Sequence, residues 1–184
     1  MSVPSPSSAQ SDPPALLVVG AGAHGLVVAE LAQALGYGRV DFADDSSPLA
    51  IGPLSDLPAL VPRYDAVAVS IGNLPFRQEL LDRLEAIPAP LPPLVHPSAY
   101  VSPSAHIAPG ALVLPGAVVN ANAVVGKGAI VSAGAVVDHD AALGPCAHLD
   151  AGAVLAARAA VPPLTKIPAG SRVLSDTPKQ GHSP

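Results

Sequence analysis

The chain has 184 residues, of which 49% are hydrophobic and 3% aromatic, and a formal net charge of −5 at pH 7. This length allows one large or two small domains, and the negative charge without a Lys/Arg cluster argues against nucleic acid as a partner. No apolar run approaches the length of a membrane-spanning helix, so membrane insertion is not expected, and the single cysteine, Cys146, fits a cytoplasmic location.

The two ends of the chain differ in composition from the rest. Residues 1–14 are rich in Ser and Pro and lack basic residues, so they do not resemble a signal peptide. We predict that residues 1–14 and the tail at 176–184 are disordered.

Along residues 15–87, short aliphatic segments typical of strands alternate with segments typical of helices. Strands are predicted at Ala15–Val19, Val40–Ala43 and Ala66–Ile71, with a helix after the first and another after the third. This alternation is typical of a small parallel sheet, which binds ligands at the carboxyl ends of its strands. We therefore predict a Rossmann-like α/β domain at 15–87, followed by a Pro-rich connector at 88–100.

The loop after the first strand, from Gly20 to Gly25, has the spacing G-x-G-x-x-G. Between a strand and a helix, such glycines let the backbone approach an anion held at the helix N-terminus. A phosphate or nucleotide site is predicted here, and a purely structural turn is the alternative. The sheet is short for a dinucleotide domain, which disfavours NAD. The candidate ligand-binding residues are Gly22, His24, Gly25, Asp44, Asp45 and Asn73.

From Val101 to Val161 an aliphatic residue stands at every sixth position. An alanine stands four positions after each of the first ten of these residues, from Ala105 to Ala159. Neither a helix nor a twisted strand has this period, but a parallel β-helix does. Three six-residue faces close one triangular coil, so residues one coil apart stack on each other. We predict a short β-helix over 101–175, of about three and a half coils, closed by residues 162–170.

Aliphatic residues also recur at the sixth position of the hexads, where side chains are expected to point outward. The set is Val118, Val124, Ile130, Val136 and Val154. An exposed face of this kind is an aggregation hazard unless another subunit covers it. The pattern predicts a homotrimer held together through the β-helices.

His139 is the histidine with the strongest functional signal, because Asp138 and Asp140 flank it. A neighbouring carboxylate can orient an imidazole that acts as a general base. His148 follows half a coil later, so the two rings lie on different sides of one prism. They converge only in a site shared between subunits. A zinc site with His106 as third ligand is the alternative, but the offsets scatter these histidines and no metal is expected.

These motifs together resemble the bacterial sugar acetyltransferases of the NeuD/PglD type. The resemblance covers residues 15–158 and rests on both domains and their order. Its motifs are Gly20–Gly25, Asp44–Asp45, Ile71–Asn73 with Arg77, and Val95–Ala99. It implies a left-handed β-helix, acetyl-CoA as co-substrate, a sugar nucleotide of the UDP-amino-sugar or sialic-acid type as acceptor, and a trimer.

The same resemblance implies roles for individual residues. It makes His139 the general base and Asp140 its acidic neighbour, and it puts His148 near the acyl group. It implies that the backbone N–H of Ala157 stabilises the oxyanion and that the loop around His24 binds the sugar nucleotide. Two hypotheses follow. One is an acetyltransferase acting on a sugar amine or hydroxyl. The other is a non-catalytic sugar-nucleotide-binding trimer whose β-helix is shortened, since the repeat ends near Val161.

Overall fold

The structure is a computed structural model that describes residues 13–175. Most of the segments predicted to be disordered, 1–12 and 176–184, lie outside the described residues. Pro13 and Pro14 are described, and the Pro14 carbonyl accepts a hydrogen bond from the Gly38 N–H at 2.9 Å. The ordered region therefore begins slightly before the predicted boundary at residue 15.

The N-terminal part is a four-stranded parallel sheet with helices packed against it, as predicted. Its elements are β1 (Ala15–Val19), α1 (Ala23–Ala34), β2 (Arg39–Ala43), β3 (Ala50–Gly52), α2 (Leu57–Leu60), β4 (Ala66–Val69) and α3 (Leu74–Glu85). The strand order is β3-β2-β1-β4. Every residue of β1 and β4 is buried, which is why these strands read as unbroken apolar runs. The short elements β3 and α2 have no periodic signal and were not predicted.

The C-terminal part is a parallel β-helix built from two-residue strands at six-residue intervals. The strands are β5 (Leu94–Val95), β6 (Tyr100–Val101), β7 (His106–Ile107), β8 (Leu112–Val113), β9 (Val118–Val119), β10 (Val124–Val125), β11 (Ile130–Val131), β12 (Val136–Val137), β13 (Ala142–Leu143), β14 (His148–Leu149), β15 (Val154–Leu155), β16 (Ala160–Val161), β17 (Lys166–Ile167) and β18 (Arg172–Val173). They form three sheets of five, five and four strands. The second residue of each strand points inward, and a column of buried alanines fills the space beside these residues.

The repeat extends at both ends beyond the predicted run from Val101 to Val161. Its first strand lies inside the predicted connector, with Val95 packed against the core, and the last strand ends at Val173 rather than near Val161. The expectation of a shortened repeat was therefore wrong. Residues 162–170 are not a closing segment, because Lys166–Ile167 forms a further strand and Ile167 continues the inner column.

One sheet of the prism, β5-β8-β11-β14-β17, faces the α/β domain and is called here the docking face. Its outward residues Leu112 and Ile130 share a buried cluster with Leu16 and Val28 of the α/β domain. Ile130 is therefore buried within its own chain, and the prediction that it belongs to an exposed intersubunit surface was wrong. A six-residue period shows that a residue points outward but not which face a neighbouring domain covers.

Arg77 of α3 joins the two domains at this junction. Its side chain is 0% exposed, and its guanidinium donates to the carbonyls of Ile71 at 3.0 Å and Cys146 at 2.6 Å. Beside it, Leu81 packs so closely on Gly128 that a Cβ at Gly128 would overlap the leucine. Among the described residues, backbone carbonyls alone hold this buried charge, which fixes the turn that leads into β14.

We predict that Arg77→Met destabilises the protein by about 2–4 kcal/mol, because it leaves the buried Cys146 carbonyl without its donor, at about 1–3 kcal/mol, and the partly buried Ile71 carbonyl at a smaller cost. The measurement is urea unfolding followed by circular dichroism. Arg83→Met is the matched control: Arg83 is exposed on the same helix, and within residues 13–175 its one hydrogen bond goes to the Leu54 carbonyl at 3.2 Å. Equal losses in the two variants would contradict the role assigned to Arg77.

Candidate active site

The turn between β12 and β13 carries Asp138, His139 and Asp140. The His139 Nδ1 lies 2.8 Å from the Asp140 Oδ2, and the Asp138 Oδ1 accepts the His139 backbone N–H at 2.7 Å. The His139 side chain is 47% exposed and that of Asp140 44%. Since an ionised carboxylate only accepts, Nδ1 carries a proton in this contact. In the neutral form of the ring, the contact selects the tautomer whose lone pair is on Nε2, which is the tautomer that a general base requires.

Both carboxylates of this turn stay ionised readily. The hydrogen bond from His139 lowers the pKa of Asp140, and a further bond from the Asn122 side chain acts in the same direction. The pKa of Asp138 is lowered by the backbone N–H of His139 and by the Asn120 side chain, with a smaller contribution from the N–H of Ala157. Ala157 therefore lies beside the turn, with its N–H directed at Asp138. Its role as an oxyanion donor stays a prediction.

The glycine loop leads into α1 with Gly22 as N-cap residue. No side chain caps this helix, and its first turn contains no acidic residue. The first amides of a helix have no internal acceptor, so they attract an anion. A Cβ at Gly22 would meet nothing within 4 Å, whereas one at Gly25 would overlap the carbonyl of Gly20. Gly25 therefore serves the packing of α1 on the strand, and Gly22 keeps open the space in front of the amides.

The three polar residues predicted around this loop make contacts of different kinds. Asp44 accepts the N–H of Ala21 at 2.9 Å through Oδ2, and its Oδ1 accepts two further backbone donors, so its pKa is lowered and it holds the loop in shape. Asn73 caps α3 by accepting the Phe76 N–H at 3.0 Å. Asp45 accepts the Leu54 N–H at 2.8 Å through Oδ1. Its Oδ2 has no hydrogen-bond partner within residues 13–175, which makes Asp45 the acid best placed for a ligand.

His24 and His148 lie side by side between the two domains, with ring centroids 6.1 Å apart. His148 shares a hydrogen bond with the Ser132 Oγ at 2.8 Å through Nε2. Its Nδ1 and the Nε2 of His24 are buried without a partner among the described residues. Burial lowers the pKa of His148 to about 4, helped by the charge of Lys166, and it also lowers the pKa of His24. Both rings are neutral near pH 7 and have nitrogens left for a polar ligand.

The candidate residues form two groups on opposite sides of the prism. His24 and His148 meet at the docking face, near the glycine loop. His139 lies in the turn between the two other sheets, at the corner farthest from that face. The prediction that the two β-helix histidines lie on different sides of one prism is confirmed. Joining the two groups in one site requires a second subunit.

Sequence reasoning missed Ser132, Asp150 and Lys166, which surround His148. Lys166 stands one coil after His148 and pairs with it in register. Its Nζ lies 3.1 Å from the Asp150 Oδ2. The stacking of residues one coil apart was therefore sufficient to place Lys166 beside His148. Ser132 lies on the preceding coil but not in register, so only the side-chain geometry reveals its contact.

Two further findings concern residues 13–175. No group of three or more His, Cys, Asp or Glu side chains among them is arranged to hold a metal ion. None of the helices in this part of the chain has the length and apolarity to span a membrane.

Comparisons with known proteins extend these observations. The family model described as the PglD N-terminal domain matches residues 15–84. The acetyltransferase domain of PglB from Neisseria gonorrhoeae, solved with acetyl coenzyme A, is 34% identical with a TM-score of 0.79, and the match covers 90% of this chain and 93% of that chain. A mutant of perosamine N-acetyltransferase from Caulobacter crescentus, solved with CoA and GDP-perosamine, is 29% identical with a TM-score of 0.77, covering 88% and 89%. A comparison with curated proteins finds no match.

A β-helix of six-residue units behind a small α/β domain defines the class of hexapeptide-repeat acyltransferases. Within that class, the chain belongs to the PglD-type family of sugar acetyltransferases. The β-helix is left-handed, as the resemblance implied, and it is not shortened relative to the Neisseria domain, because the match covers 93% of that domain.

We predict that the free energy of unfolding decreases as the pH falls from 6.5 toward 4. His148 is neutral in the folded state, with a pKa of about 4 against 6.5 in the unfolded chain, so acid protonates the unfolded state first. The expected loss between pH 7 and pH 4.5 is roughly 2 kcal/mol. The lowered pKa values of Asp44 and Asp138 affect the free energy of unfolding mainly below pH 3.8, so they contribute little between pH 7 and pH 4.5.

The measurement is urea unfolding at several pH values, with His148→Asn as comparison. In this variant the free energy of unfolding should depend much less on pH, and the dependence that remains should be the part that His24 contributes. An unchanged slope in His148→Asn would show that other groups cause the pH dependence.

Proposed function

We propose that the protein transfers the acetyl group of acetyl-CoA to the amine of a nucleotide-linked sugar. The observation that carries this proposal is the exposed His139–Asp140 pair on the β-helix of a sugar acetyltransferase family. The Neisseria and Caulobacter proteins, solved with acetyl coenzyme A and with CoA plus GDP-perosamine, support the choice of donor and of acceptor class. The free thiol of Cys146 suits a reducing cytoplasm as the place of this reaction.

An amine is preferred over a hydroxyl as the acceptor group. A neutral amine is itself a good nucleophile and needs a base only to take one proton as the C–N bond forms. A hydroxyl needs more complete deprotonation before it attacks. A half-exposed imidazole with one carboxylate partner meets the first requirement better than the second. The Caulobacter protein is named as an N-acetyltransferase, which agrees with this preference.

The proposed reaction is direct transfer between two bound substrates. The amine attacks the thioester carbonyl, and the Nε2 of His139 accepts the amine proton. The tetrahedral intermediate then collapses, the C–S bond breaks, and the sulfur of CoA takes the proton back from the His139 imidazolium and leaves as the thiol. A covalent acetyl-enzyme is not required. Cys146 is a poor nucleophile here, because it is 2% exposed and burial raises its pKa.

The acceptor nucleotide is proposed to bind in front of α1. The uncapped amides of its first turn suit a diphosphate, and the open space at Gly22 lets the phosphates approach. The free oxygen of Asp45 suits a sugar or ribose hydroxyl. The unpartnered nitrogens of His24 and His148 lie beside this loop and suit polar groups of the bound substrates.

We further propose a trimer in which the glycine loop of one subunit faces His139 of the next. The sheet β6-β9-β12-β15-β18 carries a stack of half-buried Val118, Val136 and Val154, flanked by Tyr100 at 57% exposure. On the neighbouring sheet Val124 is 43% exposed. Covering these residues would remove the aggregation hazard. The non-catalytic trimer loses its main support, since the β-helix is not shortened.

The central test replaces the proposed base. His139→Ala should reduce kcat by roughly 10²–10⁴-fold, the usual scale for a general base, with little change in affinity for the sugar nucleotide. Asp140→Asn should cost less, because the ring remains but is less well oriented. The measurement is CoA release from acetyl-CoA, with a panel of amino-sugar nucleotides as acceptors. Full activity in His139→Ala would remove the mechanism.

A mixed trimer tests the shared site. Gly22→Val should block nucleotide binding without strain, since space is open at that position. Gly22→Val and His139→Ala subunits are each inactive alone. When co-expressed at equal levels, they should regain about one quarter of the wild-type activity, because one intersubunit junction in four combines two intact halves. No regained activity in a purified mixed trimer would place loop and base in the same chain, and a monomer by light scattering would contradict the assembly.

A further inference from the structure

One corner of the prism carries polar side chains at a backbone position that favours glycine. Asn122, Asp140 and Arg158 occupy equivalent positions on successive coils, with φ of 58°, 58° and 62°. At another corner, Gly116, Gly134, Gly152 and Gly170 hold the corresponding left-handed positions. Asn and Asp tolerate this conformation better than other side chains, but less well than glycine. Asn122 therefore makes its position more costly than glycine would, and its contacts must offset that cost.

Those contacts lead directly to His139. The Asn122 Nδ2 donates to the Asp140 Oδ1 at 3.1 Å, while the Asp140 Oδ2 accepts from the His139 Nδ1 at 2.8 Å. The backbone N–H of Asn122 is itself held by the Ser104 Oγ at 3.1 Å. Both oxygens of the Asp140 carboxylate are thus engaged by different donors, and one chain of hydrogen bonds runs across three successive coils.

Asp140 needs such support because it lies at the surface. Its side chain is 44% exposed, and its backbone fixes only the Cα, through the N–H donated to the Ala121 carbonyl at 2.9 Å. Without a donor on Oδ1, the carboxylate is free to rotate into water and release the imidazole. We infer that Asn122 is a positioning residue, which holds Asp140 so that His139 keeps its proton on Nδ1. This inference rests on the proposed role of His139.

The test is Asn122→Gly, which keeps the left-handed backbone and removes only the amide. Loss of one hydrogen bond should lower kcat about three- to tenfold, with KM for both substrates nearly unchanged. The second readout does not need activity. Long-range proton–nitrogen NMR of histidine-labelled protein, with His139 assigned by its substitution, should show a shift from the Nδ1–H tautomer toward the Nε2–H form.

The control is Leu164→Gly, which also introduces glycine at an exposed left-handed position, but at another corner, with φ of 55°. It should change neither kcat nor the His139 tautomer. A double-mutant cycle with Asp140→Gly tests whether Asn122 affects His139 through Asp140 or by another route. If Asn122 acts through Asp140, the double variant should be no slower than Asp140→Gly alone.

Each outcome bears on the inference. A tautomer shift with non-additive loss of kcat supports it. An unchanged tautomer overturns it, whether or not kcat falls, and so does additive loss in the double variant. If the wild-type protein acetylates no sugar nucleotide but Asn122→Gly still shifts the tautomer, the positioning inference holds and the proposed function fails.

Discussion

The hydrogen-bond register between successive coils is the constraint on which the rest of the structure depends. Each strand pairs with the equivalent strand of the next coil, as in Val118 with Val136 and Val136 with Val154. The inner column can use any aliphatic residue, so the lattice leaves the outward and corner positions free for other purposes. A polar residue at a corner is then held by its neighbours one coil before and one coil after it. The candidate base His139 and its partner Asp140 stand at such a corner, and Asn122 contacts Asp140 from one coil before it.

The three faces of the prism are used differently, and this explains why one chain holds the candidate site in two halves. The docking face is covered by the α/β domain, which buries Ile130 and puts His148 beside His24. His139 stands at the opposite corner, where its own α/β domain does not reach. The site between subunits that we propose is consistent with this topology, because two groups on opposite sides of a rigid prism can meet only across a second copy.

Much of this arrangement could be predicted from the sequence, and the failures have physical causes. The six-residue period predicted the β-helix and the separation of His139 from His148, since both depend only on spacing. The limits of the repeat were wrong because Val95, Ile167 and Val173 continue the inner column through Pro-rich segments that look irregular. The burial of Ile130 and the bond between Ser132 and His148 depend on contacts between domains and coils, which a one-dimensional period does not describe.

The histidines show how environment separates residues of one type. His148 is buried against a cationic neighbour, so its pKa falls to about 4 and it remains neutral. Its Nε2 is engaged by Ser132. The other ring nitrogen can orient a bound group. His139 is half exposed and has a carboxylate on Nδ1, so its Nε2 can take a proton and the resulting charge meets both water and Asp140. The buried histidine is therefore suited to binding and the exposed one to proton transfer.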